Sequence, residues 1–465
     1  MPTHEATEPA PPPRDGVLAA FGELLQLALP LSLGFAGSSM LGFVDTAIVG
    51  RLGSLALGAM AIGNVLFFAL SLVGMGFVSG AEPLVAQAFG AGDRVGARAA
   101  YWQALRLALY ATVPLLVLLA AVASMLELFG IDAETASTAR TFLVGRALNL
   151  PCFLVFAAAR SYLQAASAAR AIVVSMIVAN VINFALDGLF VFGDRALVAI
   201  GLPAVGAPAL GVLGSGIAST IASAASMLVV LDAVRRVKVD DPRAARPRDP
   251  VLMARAARLG VPVAVQLLAE VGAFTLATLF CGRMGRLTVA AHHVALSLAS
   301  LTFTVALGVG SATTVLVGRA VGRGDTAAAR RAGFLGAATG CGFMGLCAMV
   351  FFTAPAACAR VLTDDASIVA AAAPLVVIAG FFQLSDGAQC VFGAALRGAG
   401  DTRFSQNANL VGHYLIGVPI AVWLGFFTPL GARGVWWGLS AGLTSVGLLL
   451  ALRFDRLSRR RIARA

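Results

Sequence analysis

Five acidic residues stand inside long apolar runs of the chain: Asp45, Glu82, Asp187, Glu270 and Asp386. An ionised carboxylate in low-dielectric surroundings is costly, so each must hold a proton, a small cation or a basic partner. Asn183 precedes Asp187 by four residues, which puts both on one helical face. A neutral oxygen beside a carboxylate suits a Na⁺ site or a proton relay better than an ion pair. Asp45 has a plainer alternative, because Arg51 follows six residues on. Glu82 lies about one turn from an interface and precedes Pro83, so it too can be interfacial. Glu270 and Asp386 have no basic residue near them in sequence. Groups of this kind can trade H⁺ or Na⁺ for an organic cation at a shared negative centre.

The elements that hold these acids must be membrane helices. The 465 residues are 59% hydrophobic and 12% charged, with a mean hydropathy of +0.88, a composition that no water-soluble core can hide. Runs such as Leu52–Ala81, Leu107–Leu126, Leu287–Gly318 and Phe404–Ala432 contain no Asp, Glu, Lys or Arg. They are continuously apolar and do not alternate, which predicts helices and excludes barrel strands. Twelve spans fit, at 24–50, 54–82, 102–126, 142–163, 171–193, 210–232, 256–281, 288–318, 332–356, 368–396, 404–427 and 434–452.

The net charge of +11 serves topology, not nucleic acid. With both termini cytoplasmic, the outer loops keep only Arg51, Arg140, Arg146, Arg195, Arg283, Arg286, Arg360 and Arg433, which satisfies the positive-inside rule. Residues 1–15 are Pro-rich and read as a disordered cytoplasmic tail, and 454–465 as a basic cytoplasmic tail. The six cysteines (Cys152, Cys281, Cys341, Cys347, Cys358, Cys390) stand singly without CxxC spacing and read as packing residues, so no metal site is expected beyond a Na⁺ at the coupling residues. No HExxH, GxSxG or phosphate-cradling loop occurs, and no soluble segment is large enough to hold a nucleotide. An enzyme, an ATP-driven pump and a need for any cofactor are therefore not expected.

One unit is written twice. At an offset of 232 residues, Pro30 meets Pro262, Gly50-Arg51 meets Gly282-Arg283, Gly53 meets Gly285, Gly90 meets Gly322, Gly92-Asp93 meets Gly324-Asp325, Arg98 meets Arg330, and Asp132 meets Asp364. Further on, Gly211–Gly214 meets Gly431–Gly434 at 220, so the first half carries a longer loop before its sixth span. The division is 16–234 and 251–453 for two six-helix lobes, joined by a hydrophilic linker over 235–250. Six spans per copy make the repeats parallel, related by an axis along the membrane normal, with a central cavity between spans one and seven. Pro30 and Pro262 read as repeated kinks.

Several stretches resemble one family, the multidrug and toxic compound extrusion (MATE) transporters in their NorM-like branch. They are FVDTAIVGRLG at Phe43–Gly53, AQAFGAGD at Ala86–Asp93, NFALDGLFVFG at Asn183–Gly193, AAHHVALS at Ala290–Ser297, and FFQLSDGAQCVFGAALRGAGDTR at Phe381–Arg403. The resemblance implies an antiporter that exports organic cations in exchange for H⁺ or Na⁺. It implies first-lobe coupling residues Asp45, Asn183 and Asp187, with Ser219 as a hydroxyl of that site, and second-lobe acids Glu270 and Asp386. Phe67, Phe68, Phe274, Phe303 and Tyr414 are candidate walls for amphipathic cations, although aromatics in such a chain more often face lipid or core. His292, His293 and His413 read as packing residues. The expected setting is a bacterial-type inner membrane, with lipid and small organic substrates as partners and a monomer sufficient. Two other readings stay open: a lipid-linked-precursor flippase of related plan, and a major-facilitator transporter, whose loop motif Gly90–Arg98 partly imitates.

Overall fold

A computed structural model describes residues 16–199, 201, 203–241, 243 and 246–465. The tail expected at 1–15 and part of the linker lie outside these residues. The first half contains α1 (Val17–Val49), α2 (Ser54–Ser79), α3 (Glu82–Gly90), α4 (Arg94–Ser124), α5 (Ala133–Arg146), α6 (Asn149–Ala165), α7 (Arg170–Phe192), the short α8 (Asp194–Ala199) and α9 (Val212–Arg236). The second contains α10 (Pro250–Arg283), α11 (Arg286–Arg323), α12 (Thr326–Thr353), the short α13 (Pro355–Arg360), α14 (Ala366–Gly398), α15 (Thr402–Leu410), α16 (Val418–Phe426) and α17 (Ala432–Ser458). Among the described residues eleven helical stretches are long and apolar enough to cross a membrane, and the pair α5–α6, bent by 46°, gives a twelfth when counted as one span.

That pair corrects the expected straight span over 142–163. The helix begins at Ala133 and breaks at Ala147–Leu148. Pro151 explains the break: it has no N–H for the Ala147 carbonyl, and its ring crowds that oxygen. The same rule divides the second span, where Pro83 faces the carbonyl of Ser79, the last residue of α2. At offset 232 these prolines become Gln383 and Val315, and α14 and α11 run on unbroken. Pro30 and Pro262 lie inside helices that continue through them.

The repeated residues have repeated jobs. Gly92 and Gly324 both turn at φ +77°, where a Cβ is disfavoured, and the following Asp93 and Asp325 cap α4 and α12 by accepting from Gly96 N (2.6 Å) and Ala328 N (2.8 Å). Arg98 donates to the carbonyls of Val234 and Val237, both at 2.9 Å, at the end of α9. Arg330 does the same for the end of α17 through Asp455 (2.6 Å) and Ser458 (3.0 Å). The longer loop of the first half is gathered by Asp194, whose carboxylate accepts from the N–H groups of Val205, Gly206 and Ala207. Beside α4, Gln103 and Arg106 hold the Pro247 carbonyl of the linker.

The halves meet through α1 against α11 and α2–α3 against α10 and α11. Their close contacts come in reciprocal pairs. Gly76 abuts Ala264, and Gly308 abuts Ser32; Gly90 abuts Arg319, and Gly322 abuts Gln87. Subtracting or adding 232 converts each contact into its partner, and Gly318 against Ala86 converts into itself. Contacts of this isologous kind require a two-fold relation whose axis passes near Ala86 and Gly318. On the first-half side they run from Ser32 in α1 to Gly76 in α2 and residues 86–90 in α3, and on the second-half side from Ala264 in α10 to residues 308–322 in α11, forming a seam there. At the start and middle of α2, Leu55, Leu57 and Phe68 are exposed.

At the seam α17 runs beyond the expected limit of 453, because Phe454 is fully buried against Phe334 and Phe392. The basic tail is correspondingly docked: Ile462 is buried, and Ala465 N donates to Gln87 Oε1 at 2.8 Å.

Candidate functional site

Small residues let α1 and α7 approach closely enough to place the first site. Gly34 packs on Ile172 and Gly37 on Met176, while Asn180 Nδ2 donates to the Gly37 carbonyl at 3.0 Å. One turn further along, Asn183 Nδ2 reaches Asp45 Oδ1 at 2.9 Å. On the other side Gly214 packs on Phe190, and Gly216 packs on Phe142 and Gly145, seating α9 against α7 and α5. Ser219 of α9 then donates its hydroxyl to Asp45 Oδ2 at 2.7 Å, and the Ser219 carbonyl is held by Asn149 Nδ2 at 3.2 Å.

The basic partner of Asp45 is Arg146, not Arg51. Arg146 Nη1 lies 3.3 Å from Asp45 Oδ2, whereas Arg51 is exposed. The assignment of Arg146 to an outer loop is thereby corrected: it is the last residue of α5, inside the lobe, with its guanidinium 4.7 Å from the Phe67 ring and 5.6 Å from the Phe142 ring. Asp45 accepts three donors while being 1% exposed.

Asp187 contrasts with it. It is fully buried among Asp45, Arg146 and Ser215, with the Ser215 hydroxyl placed to donate to it and no basic residue at ion-pair distance among the described residues. Asn183 Oδ1 is likewise buried and has no donor among the described residues. A buried oxygen without a donor costs free energy on the order of 1–3 kcal/mol, and more if charged, so this group of oxygens is suited to receive a proton or a cation.

In the second lobe, Gln389 Nε2 of α14 donates to Glu270 Oε2 of α10 at 3.2 Å. Asp386, one turn before Gln389 and 4% exposed, interacts electrostatically with Glu270 but makes no hydrogen bond among the described residues. Arg397, two turns beyond Gln389, acts on Glu270 and also pairs with Glu82 Oε2 at 3.6 Å across the seam. Glu82 is thus an inter-lobe contact, with Ser161 on its other oxygen at 3.4 Å.

The aromatic candidates do not form one wall. Phe67 is buried under Arg146 inside its own lobe, because Gly63 beside it admits Phe142 and closes the packing, so it does not line the gap between lobes. Phe68 is exposed. Phe274 packs edge-on to Phe382 at 5.9 Å, Tyr414 lies against Gly272, and Phe303 is half-buried. His292 is locked in one neutral tautomer: its Nδ1 accepts from Trp436 Nε1 at 3.2 Å, so Nε2 bears the proton and donates to Thr278 Oγ1 at 2.9 Å. His413 is buried in the π-helical turn Val411–Gly417, and His293 is exposed.

Sequence reading missed Arg146, Ser215 and Gln389. Ser215 stands four residues before Ser219 and Gln389 three after Asp386, so helical spacing points to both. Pro151 carries the signal for Arg146, since it moves the helix break to Ala147–Leu148 and leaves Arg146 inside the span.

The MatE family model matches residues 30–189 and again 262–423, starting points 232 residues apart. The chain is 33% identical to the probable multidrug resistance protein NorM of Bradyrhizobium diazoefficiens, covering 96% of each. It is 35% identical to the multidrug resistance protein NorM of Burkholderia vietnamiensis, covering 92% of each. Among solved structures, a eukaryotic MATE transporter superposes with a TM-score of 0.83 at 22% identity, covering 96% of this chain and 98% of the other. A multidrug resistance MATE family transporter in an outward-facing conformation gives 0.83 at 20%, covering 95% and 97%. With the family matched in both halves and near-complete relatives above 30% identity, the chain belongs to the MatE family of membrane transporters, which are not enzymes.

Proposed function

We propose that this protein is a secondary antiporter that exports amphipathic organic cations across a bacterial inner membrane in exchange for H⁺ or Na⁺. The observation that carries the reading is the buried Asp187 carboxylate, with no basic partner at ion-pair distance, and the donor-less Asn183 Oδ1, beside the fully donated carboxylate of Asp45. Such a site gains a ligand when a small cation arrives and loses it when the lobe changes shape, which is what coupling requires. The Glu270–Asp386 pair offers a second negative centre, in the lobe where Phe274 and Tyr414 lie, and supports cationic substrates with ring systems. The termini and the closed seam are assigned to the cytoplasm on the distribution of Arg and Lys, which makes the described state open to the outside. Each chain contains both lobes, so a monomer suffices.

The test is ethidium export from proteoliposomes with ΔpH and Na⁺ gradients imposed separately. One of the two gradients is expected to drive export. Export that ignores both refutes the antiport reading.

A further inference from the structure

We infer that Arg146 is a tethered counter-cation that sets the first-lobe site to take up one external monovalent cation instead of two, and that directs it to Asp187. The inference deepens the antiport reading and rests on it. Its basis is the charge inventory of every helix around the guanidinium. Asp45 comes from α1 and Asp187 from α7, whose other charges, Glu23 and Arg170, lie at their far ends; α2 contains no charged residue, and the charges of α9 (Asp232, Arg235, Arg236) lie at its opposite end. On α5 itself, Glu134 is at the far end and Arg140 is engaged by Glu127. Two carboxylates and one guanidinium therefore leave a single negative charge in the site.

Geometry decides which carboxylate receives the cation. Asp45 already accepts three donors: Asn183 Nδ2 at 2.9 Å, Ser219 Oγ at 2.7 Å and Arg146 Nη1 at 3.3 Å. Donor hydrogens repel an incoming cation. Asp187 has the Ser215 hydroxyl placed to donate but no basic partner at ion-pair distance, and Asn183 Oδ1 on the same helical face has no donor, so its carboxylate is the one left to attract a cation. Arg146 is held over Asp45 by the faces of Phe67 and Phe142, an arrangement suited to keeping a guanidinium in place. Nothing in the other lobe reproduces this. The residues 232 positions on from Asp45, Arg146 and Asp187 are Ala277, Ile378 and Pro419, so the counter-cation belongs to this site and not to the repeated scaffold.

The experiment counts cations. Wild type, Arg146→Lys and Arg146→Gln are reconstituted at clamped zero voltage, and the ethidium gradient that balances a tenfold gradient of the driving cation is measured. Wild type and Arg146→Lys should balance at the same point. Arg146→Gln, taking one more cation per cycle, should balance an ethidium gradient about tenfold steeper. If Arg146→Gln inserts without transporting, equilibrium cation uptake by the detergent-solubilised protein is read instead, and should exceed that of Arg146→Lys by one per chain. An unchanged count in Arg146→Gln, or the same change in Arg146→Lys, overturns the inference and leaves Arg146 a packing residue. Wild-type export that ignores both gradients refutes the antiport reading instead.

Discussion

Two buried carboxylates share one guanidinium, which pairs with Asp45 and acts on Asp187 only electrostatically, and substitutions should separate them. Asp45→Asn leaves the half-buried Arg146 charged and without its anion, which costs up to about 3–5 kcal/mol. A lowered melting temperature in detergent is expected, partly restored in Asp45→Asn/Arg146→Met because both charges are then gone. Asp187→Asn breaks no ion pair and keeps an oxygen for the Ser215 hydroxyl, so it should melt at or above wild type while losing cation-driven ethidium export. Equal melting losses for both single variants would contradict the assignment of Arg146 to Asp45. Asp386→Asn belongs with Asp187→Asn: it has no ion pair to break, should insert normally, and should lose export under either gradient. Export at the wild-type rate would make Asp386 structural. The acids themselves were legible because a carboxylate in an apolar run is conspicuous. The basic partner of Asp45 was not, since Arg146 sits 101 residues from it and only tertiary packing brings them together.

At the scale of helices, hydropathy located every span but misplaced the start of the fourth. Residues 133–141 include Glu134, Thr135, Ser137, Thr138, Arg140 and Thr141, polar enough to read as loop. They are helical because Asp132 caps the helix through Thr135 N at 2.9 Å and the threonine hydroxyls return to carbonyls one turn back. The repeat, by contrast, was legible because its matched residues occupy turns and helix ends, where few residue types fit. Arg98 and Arg330 illustrate this, each binding the last turn of the sixth helix in its own half. Replacing either by Gln should cost about 1.5–3 kcal/mol, the range for hydrogen bonds to a charged group. Because the two sites lie in different lobes, the double variant's loss should be the sum of the singles. A strongly non-additive melt would mean that the lobes do not unfold independently at these ends.

For the whole molecule, duplication supplied a scaffold with a two-fold seam, and the chemistry then diverged between lobes. The first-lobe residues Asp45 and Asp187 have apolar equivalents in the second. Glu270, Asp386 and Gln389 correspond in the first lobe to Ser38, Leu154 and Ala157. Symmetry survives where the lobes must slide or separate, at Gly76 with Ala264 and at Gly308 with Ser32, because each contact brings backbone against backbone with no room for a side chain. Alternating access requires this seam to open when the opposite end closes, and a wedge should favour the open seam. Gly76→Leu and Gly308→Leu, being images of each other, should therefore produce the same effect. Each should raise several-fold the labelling, by a membrane-impermeant thiol reagent applied from the terminus side, of a cysteine placed at Ala86 in a cysteine-free background. Both should slow ethidium export, since the seam-closed state becomes harder to reach. If Ala86→Cys labels at the unwedged rate in both variants while export persists, the seam is a permanent packing surface, and the lobes exchange states by motion within each bundle.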